Sequence, residues 1–206
     1  MAPLWPGRTP TPTSRAALLA LSALGWTVVL APPPGPKVVA AVAPHTSNAD
    51  FWPGILLATA VRLPVRFLAK RELFTFPVGV VMRALGGLPV DRQRAGGNVV
   101  DAVVAIIDRE PELVLAVAPE GTRARGEYWK TGFYYMALEA GVPIGVTVLD
   151  WGRRRVGIVG YVQPTGDLHA DFAHIRALLE GVRGHTPGQE TPAYPRPVQD
   201  GGPSRL

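Results

Sequence analysis

The strongest constraint on the fold of this chain is the alternation of short Val-rich runs with segments patterned as helices. Lys37–Ala43 and Leu113–Ala118 are apolar almost throughout, as buried strands are. Trp26–Leu30, Val65–Ala69, Leu88–Val90, Ile144–Leu149 and Val156–Val162 read as further strands. Between them fall helical segments. One runs from Arg15 to Leu24, capped by Ser14 and ended by Gly25. Others span Asp50 to about Val61, Pro77–Leu85, Gly132–Ala140 and Asp167–Val182. A helix capped by Asn98 carries Val99, Val100, Val103, Val104, Ile106 and Ile107 as an apolar stripe. This alternation predicts a single α/β domain with a mixed, mostly parallel sheet flanked by helices. Residues 1–13 hold four Pro and read as a flexible lead-in to a domain over 14–184. Residues 185–206, with five Pro and three Gly, read as a disordered tail.

Charge narrows the possible partners. The chain carries 21 Lys and Arg against 16 Asp and Glu. The window from Arg62 to Arg94 holds seven basic and two acidic residues, so it equals the whole net charge of +5. Its basic residues are interleaved with Phe67, Leu68, Leu73, Phe74 and Phe76. That mixture suits an anionic membrane surface better than a nucleic acid duplex, although a solvated Arg-rich face fits it too. The longest strongly apolar run, Ala16–Ala31, is 16 residues, short of the roughly 20 that a spanning helix needs. Arg8 and Arg15 before that run mimic a signal peptide, but the run ends in Pro32-Pro33-Pro34. The expected location is therefore cytoplasmic, peripheral to the inner face of the cell membrane. Cys is absent, which excludes disulfides, thiolate zinc sites and a Cys nucleophile.

Two of the buried runs end alike, in Val42-Ala43-Pro44-His45 and Val117-Ala118-Pro119-Glu120. Ligands of parallel α/β sheets bind beyond the carboxyl ends of strands, so His45 and Glu120 are expected at one shared cleft. After His45 comes Thr46-Ser47-Asn48, which is turn and cap chemistry, and then Asp50. A turn there lets the Asp50 carboxylate reach one ring nitrogen of His45, fixing its tautomer and stabilising the imidazolium. The other nitrogen is then a base suited to neutral pH. The same residues would also serve a helix cap and a strand end with no chemistry. Ser47 reads as a cap, because no Gly-x-Ser-x-Gly elbow occurs in the chain. Glu120-Gly121-Thr122-Arg123 offers a close-approach glycine, a hydroxyl and a guanidinium fork, a possible phosphate cradle. Arg92 follows another strand, behind Gly86-Gly87.

Taken together, these blocks resemble the glycerolipid acyltransferase family, whose best-known members are lysophosphatidate acyltransferases. The resemblance rests on His45 with Asp50 five residues later, Gly87–Arg92, Pro119–Arg123 and Val142-Pro143-Ile144, in that order over about residues 26–150. It implies His45 as general base and Asp50 as the residue that orients it. It implies Arg92, Glu120, Gly121, Thr122 and Arg123 as acceptor-binding residues, with Lys70 as a further phosphate contact. The Val-Pro-Ile block is linked to the acyl side or to shaping the fold. The family often has Phe where Ala118 precedes Pro119, and many members carry a longer hydrophobic N-terminus.

The reaction so implied moves an acyl group from acyl-CoA or acyl-carrier protein to the hydroxyl of a lysophospholipid such as 1-acylglycerol-3-phosphate. Neither a cofactor nor a metal is expected. Backbone amides after His45 are candidate oxyanion donors. Lys130, in Trp129-Lys130-Thr131-Gly132, could reach the site, and Phe51 and Trp52 are the best acyl-side candidates. Phe74, Phe76, Trp129 and Phe133 read as core or acyl contacts, and His169, His174 and His185 as surface or structural. Two other readings use the same residues: a thioester or lipid-ester hydrolase, and a catalytically silent lipid-binding module.

Overall fold

The computed structural model describes residues 4–90 and 98–197. Seven strands form one sheet: β1 (Thr27–Leu30), β2 (Lys37–Ala43), β3 (Val65–Lys70), β4 (Gly87–Val90), β5 (Leu113–Val117), β6 (Ile144–Asp150) and β7 (Arg155–Val162). Their order is β1-β7-β6-β2-β5-β3-β4. Every neighbouring pair is parallel except β6 and β7, which form an antiparallel hairpin around Asp150. The mixed, mostly parallel α/β architecture read from the sequence is the one found. The central strands β2 and β6 are buried along nearly their whole length, which explains their near-continuous apolar runs.

Helices cover both faces. On one face α1 (Pro12–Ala23) packs against α2 (Phe51–Ala60), burying Ala17, Leu21, Leu57 and Ala60 together with Trp26, Leu149 and Val156. On the other face lie α4 (Asn98–Arg109), α5 (Gly132–Glu139) and α6 (Leu168–Leu178). The stripe on α4 is realised as Val100, Val103 and Ile107, three residues on one side of the helix. Trp129 meets Phe133 and Phe172 edge-on in this second core, and the two Phe rings pack tilted, so Trp129 and Phe133 are packing residues. Val142 and Ile144 join the same core, which assigns the Val-Pro-Ile block to shaping the fold. A short α3 (Val78–Ala84) connects β3 to β4.

Three local expectations are corrected. The first helix starts earlier than its apparent cap, because Thr11 is the true N-cap and Ser14 returns the bond three residues on. The lead-in is ordered from residue 4. Trp5 is buried, its amide donates to the Val61 carbonyl at 2.8 Å, and Arg8 pairs with Glu112. Residues 185–197 are not a loose tail either. Thr191 and Ala193 are buried, and the Trp129 indole N–H donates to the Thr191 carbonyl at 3.1 Å. Residues 1–3, 91–97 and 198–206 lie outside the described residues. Among the described residues, no helix is long and apolar enough to cross a membrane.

Candidate active site

The parallel strands β2 and β5 are direct neighbours, so their similar ends emerge side by side. The His45 amide donates to Glu120 Oε1 at 3.2 Å, tying the two strand tips together. Past His45 the chain makes a tight turn into a single 3-10 turn at Asn48–Asp50, which leads directly into α2. Ser47 caps that turn. Its hydroxyl accepts from the Ala49 amide at 3.1 Å, and its own amide donates to Asp50 Oδ2 at 2.8 Å. The turn swings Asp50 back under the imidazole, with His45 Nδ1 at 3.2 Å from Asp50 Oδ2.

The Asp50 side chain is fully buried and that of His45 is 26% exposed. With Nδ1–H directed at the carboxylate, the lone pair of His45 sits on Nε2. Asp50 is held from a third side, by the Trp151 indole N–H on Oδ1 at 2.7 Å. Burial alone would raise the pKa of Asp50. The bonds from His45, the Ser47 amide and Trp151 outweigh it and leave the carboxyl below its ordinary value. The site thus pairs a fixed carboxylate with an accessible imidazole.

Glu120, which the resemblance assigns to the acceptor, is tied into the protein interior. It is buried, with Oε1 on the His45 amide and Oε2 enclosed without a partner. Burial pushes its carboxyl up to about 7, partly offset by the His45 amide and His45 itself. Gly121, Thr122 and Arg123 form the outer part of the turn. Gly121 has φ +68°, and a Cβ there would lie 2.7 Å from Lys130 Cε, so only glycine lets the Lys130 side chain lie across the turn. The Lys130 amide fixes this approach by donating to the Pro119 carbonyl at 2.9 Å. Thr122, Arg123 and Lys130 are exposed, or nearly so, and give this turn a cationic edge. Lys70 ends β3 at the same edge of the sheet, and Arg92 lies outside the described residues.

Beside the dyad, a cavity of about 250 Å³ opens between α2 and the sheet. Phe51, Gly54, Ile55 and Ala58 line it from one helical stripe, spaced i, i+3, i+4 and i+7. Ala40 and Val42 line it from β2, while Val39 and Ala41 face the other core, as strand alternation requires. It follows β5 from Val114 to Val117, roughly 10 Å at about 3.3 Å per residue, and continues to Ala118. His45 and Asp50 sit at its carboxyl end. Trp5 belongs to the buried cluster of Ala40, Val114 and Ile158, which also line the cavity. Phe51 is an acyl-side candidate that the structure places at the cavity, whereas Trp52 is 67% exposed and lines none of it. Phe74 is core and Phe76 is on the surface.

Two elements escaped the sequence reading. Trp151 lies 101 residues from Asp50, and no local pattern links them. The segment after α6 crosses the site, where the Thr186 amide donates to Thr46 Oγ1 at 3.1 Å and the His185 ring meets the Trp151 ring edge-on. His169 and His174 are exposed on α6. Among the described residues, no group of three or more His, Asp or Glu is placed to hold a metal ion.

Comparison with known proteins bears on the fold and the family. A solved structure of similar fold is that of a 1-acyl-sn-glycerophosphate acyltransferase, PlsC, from Thermotoga maritima. It is 21% identical, with a TM-score of 0.51 over 82% of this chain and 75% of that one. No curated protein matches the chain in sequence. The acyltransferase family model matches residues 32–149, a stretch that contains the dyad, the Glu120–Arg123 turn and all of α2. Because that match spans more than half of its length, the chain belongs to the acyltransferase family.

Proposed function

We propose that the protein transfers a fatty acyl group from a thioester, acyl-CoA or acyl-carrier protein, to the hydroxyl of a lysophospholipid such as 1-acylglycerol-3-phosphate, as a step of phospholipid biosynthesis. The observation that carries this reading is the His45–Asp50 pair at the mouth of an apolar cavity, with a cationic turn beside it. The cavity suits an alkyl chain, since its lining is aliphatic and aromatic apart from the dyad and Thr147. Gly121, Thr122 and Arg123, with Lys130 and Lys70, suit the phosphate of the acceptor. Glu120 contributes by holding the His45 backbone rather than by touching substrate.

In the proposed reaction His45 Nε2 takes the hydroxyl proton as the alcohol oxygen attacks the thioester carbonyl. Asp50 stabilises the imidazolium across 3.2 Å. The amides of His45, Ser47 and Ala49 already have partners, which leaves those of Thr46 and Asn48 as the donors the turn can offer an oxyanion. Collapse of the tetrahedral intermediate expels the thiolate, which takes the proton back from Nε2. The products are an ester and a free thiol, and the steps call for no covalent acyl-enzyme, metal or cofactor. Because both substrate chains are lipidic, the protein works on this reading at the surface of a membrane, on its cytoplasmic side, with no nucleic acid partner.

The test is incubation with a labelled acyl thioester and a panel of lysophospholipids, with products identified by mass spectrometry. Acylated acceptor and stoichiometric free thiol support the proposal. Free fatty acid as the main product in the presence of every acceptor makes the protein a hydrolase and overturns it.

A further inference from the structure

The connection from β3 to β4 is built inside out. Gly79 is the one buried residue of α3, packed so closely that a Cβ would lie 2.1 Å from the Phe74 carbonyl oxygen. The valines of that helix point the other way, with Val78, Val80 and Val81 each more than half exposed. Phe76, just before the helix, is 88% exposed. Isolated surface apolar residues are ordinary, but four large ones within six positions form a patch that in soluble proteins marks an interaction site. Arg71 and Arg83 are exposed at the two ends of this segment. Between residues 62 and 84 the sequence holds five basic residues against the single acid Glu72.

Topology fixes where this patch lies. β3 runs parallel to β5, and β5 to β2, so Phe76 and the start of α3 emerge at the same end of the sheet as His45 and Glu120. Trp52, 67% exposed on the first turn of α2, lies at that end too.

We infer that the Phe76–Val81 segment is the element by which this protein seats itself on an anionic lipid bilayer, with Arg71 and Arg83 meeting the headgroups. Its exposed apolar side chains enter the interface while the flanking cations meet negative charge. This orientation turns the cleft and the cavity mouth toward the lipid. The inference rests on the proposed function only in that a lipidic substrate gives a membrane-facing cleft its purpose.

The experiment is flotation of the full chain with vesicles of phosphatidylcholine alone and of phosphatidylcholine mixed with phosphatidylglycerol. Wild type is compared with a triple variant, Phe76→Ser, Val78→Ser and Val81→Ser, whose sites are all exposed. The wild type is expected to float with the anionic vesicles and much less with the neutral ones. The triple variant is expected to lose on the order of tenfold or more in partitioning. It is expected to keep its melting temperature and its activity on a dispersed short-chain acceptor. Equal flotation of variant and wild type overturns the inference, as does equal binding to both vesicle types. A wild-type dimer that the triple variant dissolves overturns it as well, by assigning the patch to a second copy. If no lysophospholipid is acylated while flotation follows the expected pattern, the acceptor reading fails and the docking face stands.

Discussion

Replacing Asp50 by Asn removes one charge and leaves the shape of the side chain intact. In the structure Oδ2 takes two donors, His45 Nδ1 at 3.2 Å and the Ser47 amide at 2.8 Å, and Oδ1 takes Trp151 Nε1 at 2.7 Å. An Asn that keeps its oxygen at Oδ2 preserves the His45 tautomer but sets its NH2 against the Trp151 N–H. The flipped rotamer sets the NH2 against the Ser47 amide. Either way at least one donor loses its partner, at a cost of about 1–3 kcal/mol in stability for each. The catalytic loss comes from the missing charge. Two unit charges 3.2 Å apart interact by about 5 kcal/mol at an effective dielectric near 20, and by about half that if the proton is half transferred in the transition state. The expected fall in kcat is therefore between about 10² and nearly 10⁴. The assay is acyl transfer to the lysophospholipid that serves wild type best, at saturating thioester, with a melting curve to establish folding. A folded Asp50→Asn protein whose kcat stays within about threefold of wild type would refute the assignment of Asp50 as the partner of the imidazolium.

Trp151→Phe keeps an aromatic ring against Trp26 and His185 but deletes the bond to Asp50 Oδ1, so kcat should fall on the order of tenfold with KM little changed. An unchanged kcat would show that the indole only fills space. Glu120→Gln tests the buried carboxyl. Since its pKa rises from 4.5 to about 7 on folding, the folded state holds a proton that the unfolded chain has lost across that window. Wild-type stability should therefore decline relative to the Gln variant as pH rises from about 5 to 8, by at most about 3 kcal/mol, read as a shrinking difference in melting temperature. A difference that does not vary with pH would contradict the burial of this carboxyl. Ala58→Phe projects a ring from the cavity-facing stripe of α2, and should shorten the longest acyl chain accepted without loss of rate on short ones. An unaltered chain-length profile would separate the cavity from the acyl group.

Much of the sheet was legible because burial on both faces writes itself as runs of apolar residues, and β2 as read from sequence coincides with the observed Lys37–Ala43. The meeting of His45 and Asp50 was legible because the two can touch only if the chain turns between them, and Thr46-Ser47-Asn48 is turn chemistry. The shared cleft of His45 and Glu120 followed from two strands with the same ending, and the bond between them is the physical form of that likeness. The orientation of Glu120 was not legible, because the same Glu-Gly-Thr-Arg sequence serves a carboxylate turned outward or inward. The ends were misread for a related reason. Pro-rich segments without periodicity look unstructured, yet single anchors hold them: Trp5 at one end, and Thr191 and Ala193 at the other. Trp151 was invisible because its partner is set by the hairpin of β6 and β7, a contact across 101 residues.

The central claim is that the His45 imidazole takes the proton of an attacking alcohol. Its most direct test is a single-turnover measurement with His45→Ala, following transfer from a labelled acyl thioester to a lysophospholipid by mass spectrometry. The account predicts that the folded variant still binds thioester while ester formation drops by at least about 10²-fold and does not recover as the pH is raised through neutrality. Ester formed by that variant at the wild-type rate would contradict it.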